Sequence, residues 1–139
     1  MKLSVTYEPR NEYLMVKVSG EYDFLSAIFL FHNLLKEAWK QNHKNIICDI
    51  TNMTGFDHNP KETIARYTVA KYLGTTLPKD IRLVILETSR QLDLFGETIM
   101  SNSGANVRIT SSMTVALHCL GVMISDPLMN KEADTITPP

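Results

Sequence analysis

The run from Cys48 to Pro60, "CDITNMTGFDHNP", gathers most of the residue types that could do chemistry in this chain. Asp49, Thr51, Asn52, Thr54, Asp57 and His58 offer carboxylates, hydroxyls, an amide and an imidazole within ten positions. A carboxylate and an imidazole can share acid–base work, but Asp57 and His58 are adjacent, and adjacent side chains seldom converge on one reacting atom. A wider cluster of Asp49, His58 and Glu87 would make an enzyme only if a deep cleft joined them. Thr51 and Thr54 could accept phosphate. The competing reading is that these residues are turn formers and helix caps, which require the same residue types.

Other catalytic or metal patterns are missing. His32, His43, His58 and His118 show no HExxH or His-x-His spacing, and no CxxC accompanies them. There is no Gly-x-Ser-x-Gly elbow, phosphate-binding glycine loop or dinucleotide fingerprint. Cys48 and Cys119 lie in apolar surroundings and read as packed free thiols, in keeping with a reducing cytoplasm. No metal and no cofactor are expected.

The elements that would position the run follow from hydrophobic periodicity. Leu3, Val5 and Tyr7 alternate with polar residues, as do Leu14, Val16 and Val18, and "PRNE" between them is a turn. This predicts a hairpin. Asp23 then caps a helix from Phe24 to about Asn42, with an apolar stripe of Phe24, Ala27, Ile28, Phe31, Leu34, Leu35, Ala38 and Trp39. "NIICDI" and "IRLVIL" are nearly continuous apolar runs, which predicts strands buried on both faces. Asn59, Pro60 and Glu62 mark the start of a second helix reaching about Leu73. Thr88 or Ser89 opens a third, carrying Leu92, Phe95, Ile99 and Met100 and ending near Gly104. "NVRIT" is a short last strand. Ser111 or Ser112 caps a final helix closed by Gly121. The order is ββαβαβαβα. It predicts an α/β fold: one domain over residues 1–121 with a mixed sheet of about five strands and four helices, and a loosely held tail over 122–139.

In such a sheet, ligands gather at the carboxyl ends of the strands. The run after "NII" falls there, as do Glu87, Thr88 and Ser89 and the segment Thr110 to Ser112. A second kind of site is apolar. Leu25, Phe29 and Leu30 fall outside the first helix's main stripe. They fit a partner-binding surface, a ligand slot beneath the helix, or residues covered by the tail through Val122, Met123, Ile124 and Leu128.

With 139 residues, 44% hydrophobic, the chain suits one core. Fourteen basic and 15 acidic residues give a net charge of -1, with no basic stripe for nucleic acid. No apolar run approaches the roughly 20 residues of a membrane span. The start, "MKLSVTYEPRNEY", lacks the apolar stretch of a signal peptide.

The order and lengths resemble the STAS-domain superfamily, through the hairpin into "VSGEYDFLSA", then "NIICDITNMTGFD" and "IRLVIL". The segment "LFGETIMSNSGANVRITSSMTVALHCLG" is similar to the SpoIIAA-like (STAS/SEC14-like) group. The resemblance covers about residues 3 to 121. It implies a non-enzymatic, cytoplasmic regulatory or protein-interaction domain, binding a protein partner or a second copy. The SEC14 side of the comparison implies the alternative, a small-ligand domain for a lipid or nucleotide. In anti-sigma-factor antagonists, a serine following an aspartate at this helix start is the phosphorylation switch. Asp57 matches that aspartate, but His58 stands in the serine's place, and no serine lies between Asn45 and Gly74.

Overall fold

The computed structural model describes residues 3–55, 60–88, 102 and 104–122, with side chains in the second helix from Thr68 onward. Five strands form one sheet in sequential order: β1 (Leu3–Pro9), β2 (Leu14–Glu21), β3 (Asn45–Thr54), β4 (Arg82–Leu86) and β5 (Val107–Thr110). β1 and β2 pair antiparallel from Leu3 opposite Gly20 to Pro9 opposite Leu14. The remaining neighbours pair parallel, as the alternating order requires. The β2–β3 register slips between Lys17 and Ser19.

Helix α1 (Phe24–Lys40) joins β2 to β3, and α2 (Pro60–Thr76) joins β3 to β4. Helix α3 (Met113–Cys119) follows β5. The helix expected from Thr88 or Ser89 falls almost wholly outside the described residues, and so does the tail from Met123 on.

Alternation along β3 and β4 divides the core. Ile46, Cys48, Ile50, Leu83 and Ile85 join one cluster with α1 and α2. Ile47, Val84 and Leu86 join the other with Met113, Ala116 and Leu117 of α3. Both faces of these strands are therefore covered, which is why their sequences are apolar without a break.

Two expectations for α1 need correction, and one cause explains both. Leu30 is 1% exposed and belongs to the core, whereas Trp39 is 82% exposed. The buried residues of the helix are Ser26, Ala27, Leu30, Phe31, Leu34 and Ala38. On a wheel of about 100° per residue, their arc is rotated by roughly 70° from the expected stripe. That rotation takes in Leu30 and releases Trp39. Leu25 and Phe29 stay outside, opposite the core. The helix starts where expected: the Asp23 carboxylate accepts from the Ser26 amide at 3.3 Å and from its hydroxyl at 3.0 Å.

Candidate functional site

The parallel strands bring their carboxyl ends to one edge of the sheet. β3 is the longest strand and projects furthest, through Thr54. Asp49 lies in the strand, as "NIICDI" predicted, and Thr51, Asn52 and Thr54, which the sequence placed beyond that strand, are strand residues too. They are held by the ladder to β2, where Ser19 pairs with Asn52 and Glu21 with Thr54. Asp57 and His58 lie outside the described residues.

Asp49 is buried, and its Oδ1 accepts from the Thr51 amide at 2.9 Å and the Thr51 hydroxyl at 2.6 Å. The carboxylate is thereby turned back onto its own strand. Lys17 pairs with Asp49 in the β2–β3 ladder, and its Nζ lies 3.5 Å from Glu8 on β1. Glu8 also takes Arg10 at 3.1 Å. This charged row across three strands was not anticipated, because only the register brings Glu8, Lys17 and Asp49 together.

The other strand ends are spent on structure. The Glu87 amide donates to the Thr110 carbonyl at 2.9 Å, tying β4 to β5. Thr110 Oγ1 accepts from the Ser112 amide at 3.1 Å, and Ser112 Oγ caps α3 by accepting from the Val115 amide at 3.2 Å. Capping is worth about 1 kcal/mol and calls for these residue types with no ligand present.

Cys48 sits beneath this edge, fully buried. Burial, and then the nearby negative charges of Asp49 and Glu87, push its thiol far above the ordinary range. The thiolate is the nucleophile, so Cys48 is inert in the folded state. Iodoacetamide at pH 8 is expected to label the half-buried Cys119 and spare Cys48 until the protein is unfolded. Equal labelling of both in the folded protein would show that the strand edge opens readily.

Leu25 and Phe29 flank the same edge. The Tyr22 amide donates to the Thr54 carbonyl at 2.6 Å, and the Thr54 hydroxyl donates to the Gly20 carbonyl at 3.3 Å. These bonds fasten the end of β3 to the chain that enters α1. Asn52 and Thr54 are exposed there. Leu25 is 61% and Phe29 54% exposed, one helical turn apart on the outer face of α1. Among the described residues, no group of three or more His, Cys, Asp or Glu side chains is placed to hold a metal ion.

The fold has a precedent among solved structures. An anti-sigma factor antagonist from Mycobacterium paratuberculosis matches with a TM-score of 0.55 and 12% identity, over 86% of this chain and 94% of that one. The fold is STAS/SpoIIAA-like. An uncharacterized protein with a SpoIIAA-like fold from Shewanella loihica PV-4 gives a TM-score of 0.49 at 17% identity, over 85% and 93% of the two chains. No family model matches the chain, and no curated protein matches its sequence. At these identities the likeness concerns the STAS/SpoIIAA-like fold itself. Among the described residues, no helix is long and apolar enough to cross a membrane.

Proposed function

We propose that the chain is a non-enzymatic, cytoplasmic regulatory domain that binds a protein partner at the carboxyl edge of its sheet. The observation that carries this reading is the pair of large apolar side chains, Leu25 and Phe29, left in water beside a rigidly tied strand end. Two such residues on one helix face fit an anchor for a partner, with Asn52 and Thr54 as its polar rim. The anti-sigma factor antagonist fold supports a partner-binding role. His58, in place of a serine after Asp57, supports an interaction without the serine switch. Thr51 is a poor substitute, because its hydroxyl already bonds Asp49 and a phosphate there would meet a carboxylate.

The alternative, a lipid or nucleotide ligand, draws its support from a groove of about 330 Å³ at the opposite end of α1.

Native mass spectrometry of the full chain, with and without Phe29→Asp, separates the readings. A homodimer or a stoichiometric protein complex is expected, and Phe29→Asp should weaken it at least tenfold, about 1.4 kcal/mol. Because the side chain is half exposed, the substitution should change folding stability by no more than about 0.5 kcal/mol. A monomer carrying a small-molecule mass would replace this reading with the alternative. A complex indifferent to Phe29→Asp would move the interface elsewhere.

A further inference from the structure

Among the described residues, four large apolar side chains stand exposed: Leu25, Phe29, Trp39 and Val115. Three of them belong to α1, and those three share one line along the helix. Leu25, Phe29, His32, Lys36 and Trp39 follow one another in steps of four, three, four and three, and all five are exposed. At about 100° per residue, they fall within about 40° of the direction opposite the centre of the buried arc. Alternating steps of three and four mark a seam between two packed helices, because they keep one stripe against the partner. A helix face that only meets water is polar. This one is apolar at both ends.

We propose that this seam packs antiparallel against the same seam of a second copy of the chain. The proposal rests on the reading of Leu25 and Phe29 as a partner anchor; it names the partner and extends the contact to the far end of α1.

The pattern selects a second copy. A two-fold interface is self-complementary, with residue i meeting j while j meets i. The seam carries Leu25 and Phe29 at one end, Trp39 at the other, and the polar His32 and Lys36 between them. Turned end for end, it matches itself. With the two-fold axis level with Leu34, Phe29 faces Trp39 of the second copy, and His32 faces Lys36 of the second copy. Each contact then occurs twice. The rings form an aromatic pair, and the ammonium donates to an imidazole nitrogen. Leu25 comes level with His43 of the second copy, which lines a groove together with Leu35, Ala38, Pro78 and Ile81. Charge sets the direction. A parallel pairing would bring Lys36 against Lys36, whereas the antiparallel one keeps them apart.

Area is the second support. At about 150–250 Å² for a large side chain, the exposed parts of Leu25, Phe29 and Trp39 offer roughly 400 Å² per copy. His32, Asn33, Lys36 and Lys40 lie beside them and bring two facing copies to roughly 1,200 Å², where specific interfaces begin. The helix is also rigidly seated, because Leu30, Leu34 and Ala38 on its other side are buried in the core. Little ordering is left to oppose association.

Phe29→Asp and Trp39→Lys, each made in the full chain, test both the partner and the register. Far-UV circular dichroism should show both variants folded, since the two positions are exposed. Sedimentation equilibrium reads the association. The parent is expected to dimerise, and each variant alone should dimerise at least tenfold more weakly. An equimolar mixture of the two variants should associate at least tenfold more tightly than either one alone. In the mixed dimer, the new carboxylate at position 29 meets the new ammonium at position 39, and the parental Phe29–Trp39 pair survives in the other contact. A parent that is monomeric at every loading concentration would overturn the inference. The anchor reading would then be judged separately, by whether Phe29→Asp weakens a complex with a different protein. A dimer weakened by Phe29→Asp but indifferent to Trp39→Lys, or a mixture with no gain, would overturn the antiparallel seam and leave the anchor standing. A dimer indifferent to both substitutions would overturn the seam and the anchor together.

Discussion

Leu34→Ala is expected to destabilise the fold by about 2–5 kcal/mol, the range for emptying a large buried aliphatic site. Leu34 is fully buried at the centre of the inward arc of α1. It belongs to the larger of the two core clusters, with strand residues such as Val16, Ile46 and Cys48 and helix residues such as Leu73. Its neighbours on the helix, Leu30 and Ala38, are also buried, so none can swing in from solvent to refill the space. The loss should lie at the upper part of the range because α1, α2 and the sheet would have to shift together for the cavity to collapse. Urea denaturation would show it as a lower midpoint with an unchanged slope. Leu25→Ala is the matched control: the same chemistry at a site 61% exposed should cost no more than about 0.5 kcal/mol. A Leu34→Ala loss below about 1 kcal/mol would mean that α1 is loosely seated, and the surface assigned to Leu25 and Phe29 would lose its rigid base.

This contrast shows which parts of the molecule were legible in the sequence. The hairpin, the buried strands, the Asp23 cap and the Ser112 cap are local events, governed by alternation, apolar runs and side chains that bond within three residues. They were read correctly because nothing distant overrides them. The facing of α1 was not local. Its sequence is apolar around much of the circumference, and contact with the sheet and α2 chose an arc containing Leu30 over one containing Trp39. The site was misread in a similar way. Polar residues from Thr51 to Thr54 suggested that the strand had ended at Ile50, but pairing with β2 extends β3 through them. Likewise, the charged row of Glu8, Lys17 and Asp49 depends on the cross-strand register, which no periodicity announces. Trp39 carried a signal of its own, a lone tryptophan in a helix's last turn followed by Asn42, yet its apolar character made it look like core.

Gly55→Ala is the second change expected to have a large effect, and it tests the tie that holds the candidate surface. Gly55 has φ +88°, a conformation an L side chain adopts at a cost of about 1–3 kcal/mol. A Cβ there would also lie 3.2 Å from Glu21 Cγ and 3.3 Å from the Tyr22 amide nitrogen. The Glu21 side chain can move, but the Tyr22 nitrogen cannot do so freely, because its amide donates to the Thr54 carbonyl at 2.6 Å. Crowding and strain therefore act on the same hydrogen bond. Gly104→Ala separates the two. Gly104 has φ +90°, but among the described residues its added Cβ would meet only the Lys79 Cε, at 3.8 Å. Both variants should lose the strain energy, and Gly55→Ala should lose more. If Gly55 acts through the tie, Gly55→Ala should also raise amide exchange at Tyr22 above that in Gly104→Ala, since a weakened bond opens more often. Equal melting temperatures and equal exchange at Tyr22 would mean that β3 and the entry to α1 move independently. Leu25, Phe29 and Thr54 would then not form one surface, and the partner site would have to be sought on the helix alone.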